Sequence, residues 1–221
     1  METSLHRGLK EHFAARSGAG GRLEVAQAGF RIDAIDAEGV LIEVQSGPLS
    51  PLRPKLARLL ADPATRVRVV KPVVIRRRVV RRSSAGGPDL SARMSPRVGS
   101  LLDVFDDLVG LAKLFPTAGL RVDVLGVLID EIRVPTRRRP GYRVVDRVLR
   151  EVLSTVTLED AVDLWALIPP DLPDPFTTRD LALHLRRSPA LAQRVAYCLR
   201  HSGAAETVGK SGNFALYRRP D

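Results

Sequence analysis

The sequence predicts an α/β protein in two parts: a core with the element order αβββαβ, and a C-terminal domain of two helices and a β-hairpin. Three observations carry this prediction. Apolar residues recur at helical spacing near the N-terminus, segments rich in β-branched residues follow, and four prolines fall within residues 169–175. The predicted parts are a domain over 1–168 with its core at 5–75, a linker over 169–175, and a second domain over 176–221.

Two helices and four strands are predicted in the core. Leu5, Leu9 and Phe13 recur every four residues, which predicts a helix over 5–15. A second helix follows a loop at 48–54. Strands are predicted where β-branched and apolar residues alternate or run together, at 23–27, 30–36, 40–45 and 67–75.

The residues after the core predict further elements. Residues 83–96 are polar, contain a Gly-Gly-Pro break, and are predicted to form a mobile loop. Residues 101–115 predict an amphipathic helix, 120–134 a strand or hairpin, and 136–141 a basic turn. Helices are predicted over 142–156 and 158–167, although the first segment is rich in β-branched residues, so a strand stays open there.

The C-terminal segment combines helix signals with a turn signal. Thr177 or Thr178 can cap a first helix, and Ser188-Pro189 starts a second one over 190–201 that ends before Gly203. A glycine-containing turn at 209–213 then joins two short strands. The order of helix, turn, helix and β-hairpin predicts a winged-helix domain.

The net charge of +10 points to a polyanionic partner, of which nucleic acid is the commonest. Alternatively, the arginine richness reflects genome composition, since the chain has only five lysines. Cys198 is the single cysteine, so an internal disulfide and a cysteine-based zinc site are excluded, and Cys198 is expected to be a buried apolar residue. With no apolar run of membrane-spanning length and no secretory signal, the chain is predicted to be cytoplasmic.

Carboxylates fall on the predicted strands at positions that face each other. If Gly39 takes the left-handed conformation in a three-residue connection, Asp33 lies directly opposite Glu43 on the next strand. A two-residue connection at 28–29 likewise places Glu24 opposite Asp33. Because close carboxylates repel unless a cation lies between them, the three predict a site for Mg²⁺ or Mn²⁺. Such an ion would activate water for attack on a phosphodiester.

The segments 30–33 and 41–45, Phe-Arg-Ile-Asp and Leu-Ile-Glu-Val-Gln, resemble the PD-(D/E)XK nuclease superfamily of restriction-endonuclease-like folds. The resemblance implies that Asp33 and Glu43 bind the metal. The position that is usually lysine in the superfamily falls on Gln45, which would orient water but cannot act as a base or a cation. Lys55, on the predicted second helix, is the candidate for a displaced lysine, and Glu11 on the first helix is a weaker candidate ligand.

The whole chain is also similar to a bacterial family of unassigned activity that joins such a core to a C-terminal winged helix. The segments 42–45, 95–97, 176–182 and 192–200 carry this likeness. Because many enzymes with the nuclease core cut as dimers, the resemblance also implies a possible homodimer.

Basic residues outside the carboxylate patch are candidates for contact with the phosphate backbone. Residues 66–82 contain eight basic residues and no acidic one, and Arg76 and Arg78 are expected to face solvent. The basic turn near 137–139 is a further candidate, with a solvated loop as the alternative. In the predicted winged helix, the candidate contacts are Gln193, Arg194, Arg200, Lys210 and Arg218.

Taken together, the sequence predicts a Mg²⁺-dependent DNA endonuclease in which Asp33, Glu43, Gln45 and Lys55 are catalytic. Two alternatives stay open. One is an inactive nucleic-acid-binding or regulatory protein that keeps the fold, in which Asp33 and Glu43 are surface carboxylates neutralised by Arg31 and Arg53. The other is a protein-interaction module, because winged helices also bind proteins.

Overall fold

A computed structural model describes residues 3–16, 22–27 and 29–220. The helices are α1 (Ser4–Arg16), α2 (Arg53–Leu59), α3 (Phe105–Leu108), α4 (Thr178–Leu185) and α5 (Pro189–Ser202). The strands are β1 (Arg22–Gln27), β2 (Phe30–Ile35), β3 (Leu41–Val44), β4 (Val67–Arg82), β5 (Asp89–Met94), β6 (Leu120–Pro135), β7 (Tyr142–Leu158), β8 (Glu206–Ser211) and β9 (Phe214–Arg218). The predicted α/β class is confirmed.

The chain divides into two compact units that are not contiguous in sequence. Unit 1 contains Met1–Ser46, Val70–Leu101 and Val124–Thr155, and unit 2 contains Gly47–Val69, Leu102–Asp123 and Val156–Asp221. The division therefore does not fall at the predicted linker. Helix α2 belongs to unit 2, whereas α1 and β1 to β3 belong to unit 1.

A seven-stranded sheet has the strand order β1-β2-β3-β4-β6-β7, with β5 paired to β4. Strands β1 to β3 form the predicted antiparallel meander. The next strand, β4, continues seven residues beyond the predicted end at residue 75. The helix predicted over 142–156 is wrong, because this segment is β7, the last strand in the sheet order. The loop predicted over 83–96 contains β5, which pairs antiparallel to β4.

Helix α1 packs on the sheet in unit 1. Leu5 and Leu9, four residues apart, are buried with Ala34, Ile42 and Val44 of β2 and β3. Val70 and three residues of β6 complete this core cluster. The spacing of four residues places both leucines on one helix face, so the periodicity that predicts α1 also identifies its buried side.

Unit 2 contains shorter helices than the sequence predicts. The predicted helix over 101–115 is wrong as a continuous element, since a 3-10 turn at Leu101–Val104 is followed only by α3 and by turns. Gly110 interrupts it at a point of close approach, where a Cβ atom would lie 2.6 Å from the Ser50 amide nitrogen. A 3-10 helix at Ala161–Leu167 replaces the α-helix predicted over 158–167.

The C-terminal residues of unit 2 form the predicted order of two helices and a hairpin. Thr177 is the N-cap of α4, as its sequence position predicts, and Ser188 caps α5. The segment 169–175 is not a free spacer, because Leu172 within it is buried and Phe176 directly after it is fully buried. The Phe176 ring contacts the rings of Trp165 and Tyr217, which anchors the hairpin within unit 2. No helix in the described parts of the chain is long and apolar enough to cross a membrane.

Candidate functional site

The predicted register of β2 and β3 is observed. Ala34 pairs with Ile42 and Ile35 with Leu41, so one further step places Asp33 opposite Glu43. Gly39 has a φ of +81°, and its amide donates to the Asp36 carbonyl over 3.1 Å. Asp36 is the predicted turn residue, since its Oδ1 accepts the Glu38 and Val40 amides over 3.1 and 2.8 Å. The left-handed glycine therefore sets the alignment of the two carboxylates.

The carboxylate of Asp33 is engaged on both oxygens. Its Oδ2 accepts a hydrogen bond from the backbone amide of Val44 over 2.9 Å. Its Oδ1 lies 3.3 Å from Nε2 of His6 and 3.5 Å from Nζ of Lys10, both on α1. Burial alone would raise the pKa of Asp33, but His6, the Val44 amide and Lys10 stabilise the charged form and hold the pKa below its ordinary value of 3.8.

Glu24 faces the same lysine. The pairs Leu23–Ala34 and Val25–Ile32 flank it, so Glu24 falls opposite Asp33 as predicted, although its own φ is +53°. Ala28, in the connection that sets this alignment, lies outside the described residues.

Two cations neutralise Glu24. Nζ of Lys10 lies 3.0 Å from its Oε1, and Arg31 donates to its Oε2. The hydrogen bonds from Lys10 and Arg31 lower the pKa of Glu24, and the charges of both residues add to this effect.

Lys10 thus occupies the place of a cation between two of the three predicted ligands. The Lys10 side chain is only 7% exposed, and its ammonium contacts both Glu24 and Asp33. With both carboxylates already neutralised, Glu24 and Asp33 do not fit a divalent ion in this arrangement. Among the described residues, no group of three or more His, Cys, Asp or Glu side chains is placed to hold a metal.

The other residues predicted to be catalytic lie in different surroundings. Glu43 is buried, with 5% of its surface exposed. The backbone amide of Gln45 donates to the Val70 carbonyl over 2.9 Å, which joins the end of β3 to β4. Lys55 lies on α2 in unit 2, whereas Asp33, Glu43 and Gln45 lie in unit 1. The catalytic roles of these four residues stay predictions.

The arginines predicted to bind phosphate on β4 differ from each other. Arg76 is exposed. Arg78 instead forms two hydrogen bonds with the buried Asp130, Nε to Oδ1 over 2.8 Å and Nη2 to Oδ2 over 2.6 Å. The hydrogen bonds and charge of Asp130 raise the pKa of Arg78. Arg78 keeps 36% of its side chain exposed, as the predicted solvent-facing position requires, but its guanidinium is paired with a carboxylate on β6.

The C-terminal residues predicted to contact nucleic acid also fall into two groups, according to whether they form ion pairs within the protein. Gln193, Arg200 and Lys210 are exposed. Nη1 of Arg194 lies 2.9 Å from Oδ1 of Asp106 at the start of α3, and Arg218 forms hydrogen bonds to Glu206 on the paired strand. Arg194 and Arg218 keep exposed side chains, at 48% and 49%, so these pairs leave part of each guanidinium open to solvent.

The family of the chain is known from sequence comparison. The model of the family described as Domain of unknown function (DUF8091) matches residues 3–159. The chain belongs to this family. A protein of Treponema pallidum (strain Nichols), described as an uncharacterized protein, is 34% identical over 227 residues, which cover 99% of this chain and 85% of that protein. No solved structure matches the chain.

Within this DUF8091 domain, sequence reasoning missed the contribution of α1 to the carboxylate patch. His6 and Lys10 are four residues apart and both reach Asp33. The signal was present, because Lys10 directly follows the buried Leu9 on a helix predicted to be amphipathic, and the chain has few lysines. The pairing of Asp33 with a residue more than twenty positions away could not be deduced from strand alternation alone.

Proposed function

We propose that the protein binds nucleic acid and that residues 176–220, acting as a winged helix, form the main contact surface. Residues 176–221 contain eight Lys and Arg against three Asp and Glu, a net charge of +5 in about a fifth of the chain. A basic surface concentrated on one compact element favours binding to the phosphate backbone. DNA is the proposed partner, because an α-helix of this kind fits its major groove.

The proposal rests on the two different faces of helix α5. Its buried side includes Leu191, Val195 and Leu199, at the spacing of a helix face. Its solvent side is polar and basic, with Gln193, Arg194, Tyr197, Arg200 and His201. Amide and guanidinium groups on one helix face are the donors and acceptors that read base edges. The helix therefore has the composition of a recognition helix.

The hairpin after α5 supports the same proposal. Every residue of β8 is exposed, and Lys210 lies next to the β8–β9 turn. In the winged-helix mode of binding, the wing contacts the backbone beside the groove that the helix enters. Gln193 and Arg200 would then contact bases and phosphates, and Lys210 would contact the backbone.

The proposal is tested by the salt dependence of DNA binding. Wild-type protein, Arg200→Ala and Lys210→Ala are titrated with a fluorescent duplex at several salt concentrations. Each variant should weaken binding and lower the slope of log affinity against log salt by about one. Arg22→Ala removes an exposed arginine of β1, outside the C-terminal segment, and is the matched control. Unchanged affinity in both Arg200→Ala and Lys210→Ala would refute the proposal and favour a protein partner.

Hydrolysis of phosphodiesters with Mg²⁺ or Mn²⁺ is a second candidate function, favoured by the register that places Asp33 opposite Glu43. Against it stands Lys10, which already neutralises Asp33 and Glu24. Plasmid nicking is measured with each metal for wild type, Asp33→Asn and Glu43→Gln. Activity that disappears in both variants would establish the hydrolase. Equal nicking in all three proteins would assign the cleavage to a contaminant.

A further inference from the structure

A cavity of about 260 Å³ in unit 1 is lined by three arginines and no acidic residue. Arg81 lies on β4, Arg93 on β5 and Arg133 on β6. The rest of the lining comes from Val79 and Val134, from Pro135, and from the end of the basic turn with Tyr142 after it. Three neighbouring strands thus each contribute one guanidinium to the same concave surface.

Strand pairing explains why Arg81 and Arg93 lie on one side of the sheet. Arg81 pairs with Ser91, and Val79 pairs with Arg93. Because residues two apart on a strand share a face, Arg81 and Arg93 are diagonal neighbours across β4 and β5. Neither forms an ion pair with any residue that the structure describes. Like charges on neighbouring strands repel each other, so this arrangement favours an anion between them.

The third arginine is held in place. Nε of Arg133 donates to Oε1 of Glu131 over 2.8 Å, and Glu131 is buried. The Arg133 guanidinium carbon lies 4.0 Å above the centre of the Tyr142 ring. These two contacts fix the plane of the guanidinium before any ligand arrives, so less conformational entropy is lost on binding.

On the opposite side of β4, the charges of the arginines are neutralised by carboxylates. There Arg78 pairs with Asp130, and Arg82 pairs with Asp89 of β5. Each of these arginines has its own carboxylate. Three guanidiniums line the cavity, and the Glu131 carboxylate beside Arg133 is shared with Arg77 and Arg147, so the lining keeps a net positive charge.

We infer that this cavity is a binding site for a phosphate monoester, such as a mononucleotide. A phosphate monoester carries close to two negative charges at neutral pH, which complements the positive charge of the cavity. Two oxygens of a phosphate can accept the two parallel N–H donors of one guanidinium. The volume lies just below the usual range of small-molecule sites, which suits a phosphate with a small organic group.

The basic turn next to the cavity adds to the attraction. Thr136 and Gly141 close this turn through a backbone hydrogen bond of 3.1 Å, and Gly141 has a φ of +85°. Between them lie Arg137, Arg138 and Arg139, all exposed. These charges extend the positive potential around the cavity, which accelerates the approach of an anionic ligand.

This site is separate from the proposed nucleic-acid surface, since it uses residues of unit 1 and none of 176–220. It can therefore be tested on its own. Isothermal titration calorimetry of the full chain is carried out with inorganic phosphate, with deoxyadenosine monophosphate, and with deoxyadenosine. The first two probes distinguish free phosphate from a nucleotide, and the nucleoside tests whether the phosphate is needed.

The expected result is saturable binding of deoxyadenosine monophosphate and no binding of the nucleoside. Arg81→Gln and Arg93→Gln should each weaken that binding roughly tenfold or more, because each removes a charge-assisted contact. Arg93→Lys keeps the charge but loses the two parallel N–H donors of the guanidinium. Its affinity for deoxyadenosine monophosphate should therefore lie between those of Arg93→Gln and wild type. Arg22→Gln removes an exposed arginine of β1 outside the cavity, so it is the matched control and should bind as wild type does.

Several outcomes would overturn the inference. One is the absence of binding for both phosphate probes in a protein with a normal unfolding transition. Another is equal binding in wild type, Arg81→Gln and Arg93→Gln. A third is weaker DNA binding by these variants without any monoester binding, which would make the arginines backbone contacts. Binding of inorganic phosphate without deoxyadenosine monophosphate would also overturn it, because the cavity would then bind a free anion and not a monoester.

Discussion

Arg78 of β4 and Asp130 of β6 form a two-pronged ion pair in which both nitrogen–oxygen distances are below 3 Å. Asp130 is buried, and its other cationic neighbour, Arg150 of β7, is farther away at 3.9 Å. The guanidinium of Arg78 therefore mainly neutralises the carboxylate of Asp130 within the sheet. Arg76, two residues earlier on the same strand, is exposed.

The first prediction separates these two arginines. Arg78→Ala should lower the thermal midpoint of unfolding, because it leaves a buried carboxylate with only a distant partner. Arg76→Ala should leave the midpoint almost unchanged, since surface substitutions rarely alter stability. Calorimetry on both variants checks this. The assignment of Arg78 as structural fails if the two midpoints are equal.

The second prediction concerns Lys10. Lys10→Met removes the buried ammonium beside Asp33, and should lower the free energy of unfolding by about 1 to 3 kcal/mol. The loss should be smaller when the change is combined with Asp33→Asn, because the uncompensated carboxylate is then absent. Urea denaturation of the four proteins completes the double-mutant cycle. An additive double variant would show that the two residues do not interact.

Lys10→Met also tests the carboxylate patch as a metal site. If Lys10 is what keeps a divalent ion out, Mn²⁺ should stabilise Lys10→Met and not wild type. Glu43→Gln in the Lys10→Met background provides the control, since it removes a predicted ligand. Equal stabilisation of all three proteins by Mn²⁺ would place the metal elsewhere.

The third prediction is a pH dependence of stability. The pKa of Asp33 is lowered in the folded protein, so its contribution is fully present above the ordinary value of 3.8 and is lost as pH falls through the folded pKa. Asp33→Asn should therefore be less stable than wild type at neutral pH, and the gap should narrow below about pH 4. Denaturation at a series of pH values measures this. A gap that widens in acid would have the wrong sign.

The fourth prediction tests the cap of α4. The Thr177 side chain accepts from the Asp180 amide, while the Asp180 carboxylate accepts from the Thr177 amide over 2.8 Å. Thr177→Ala should cost about 1 kcal/mol of folding free energy. Thr178→Ala removes a neighbouring threonine that does not cap, and should cost less. If the two variants lose the same stability, the capping box contributes nothing measurable.

The fifth prediction concerns the single thiol. Burial raises the pKa of Cys198 to about 12, and 2% of the residue is exposed. Alkylation by iodoacetamide at pH 8 should be slow in the native protein and rapid in guanidinium. Mass spectrometry after timed quenching measures both rates. Rapid labelling of native protein would contradict the buried position of Cys198.

The register of β2 and β3 could be predicted because it depends on local geometry. A glycine at position 39, a short connection and the alternation of side chains together determine which residues face each other. The fold class and the C-terminal order of elements follow from similar short-range signals. The contacts of Asp33 with α1 could not be predicted in this way, because they depend on how a helix packs over the sheet.

The helix predicted over 142–156, which is β7 in the structure, failed for a physical reason. Its apolar residues come in adjacent pairs four residues apart, as at Val144-Val145 and Val148-Leu149, which imitates a helix face. The strand is last in the sheet order and much of it is exposed, so the alternation of a half-buried strand is weak. The β-branched residues were the better guide, since tertiary pairing decided the outcome.

Strand β5 has a consequence for how the protein behaves at high concentration. Among the residues described, β5 pairs with β4 alone, so its outer side presents unpaired backbone groups on which a strand from another molecule could form. Leu90 and Met94 on this strand are exposed apolar residues. Arg93 places a charge there, which opposes self-association, so the same side chain would serve both solubility and ligand capture.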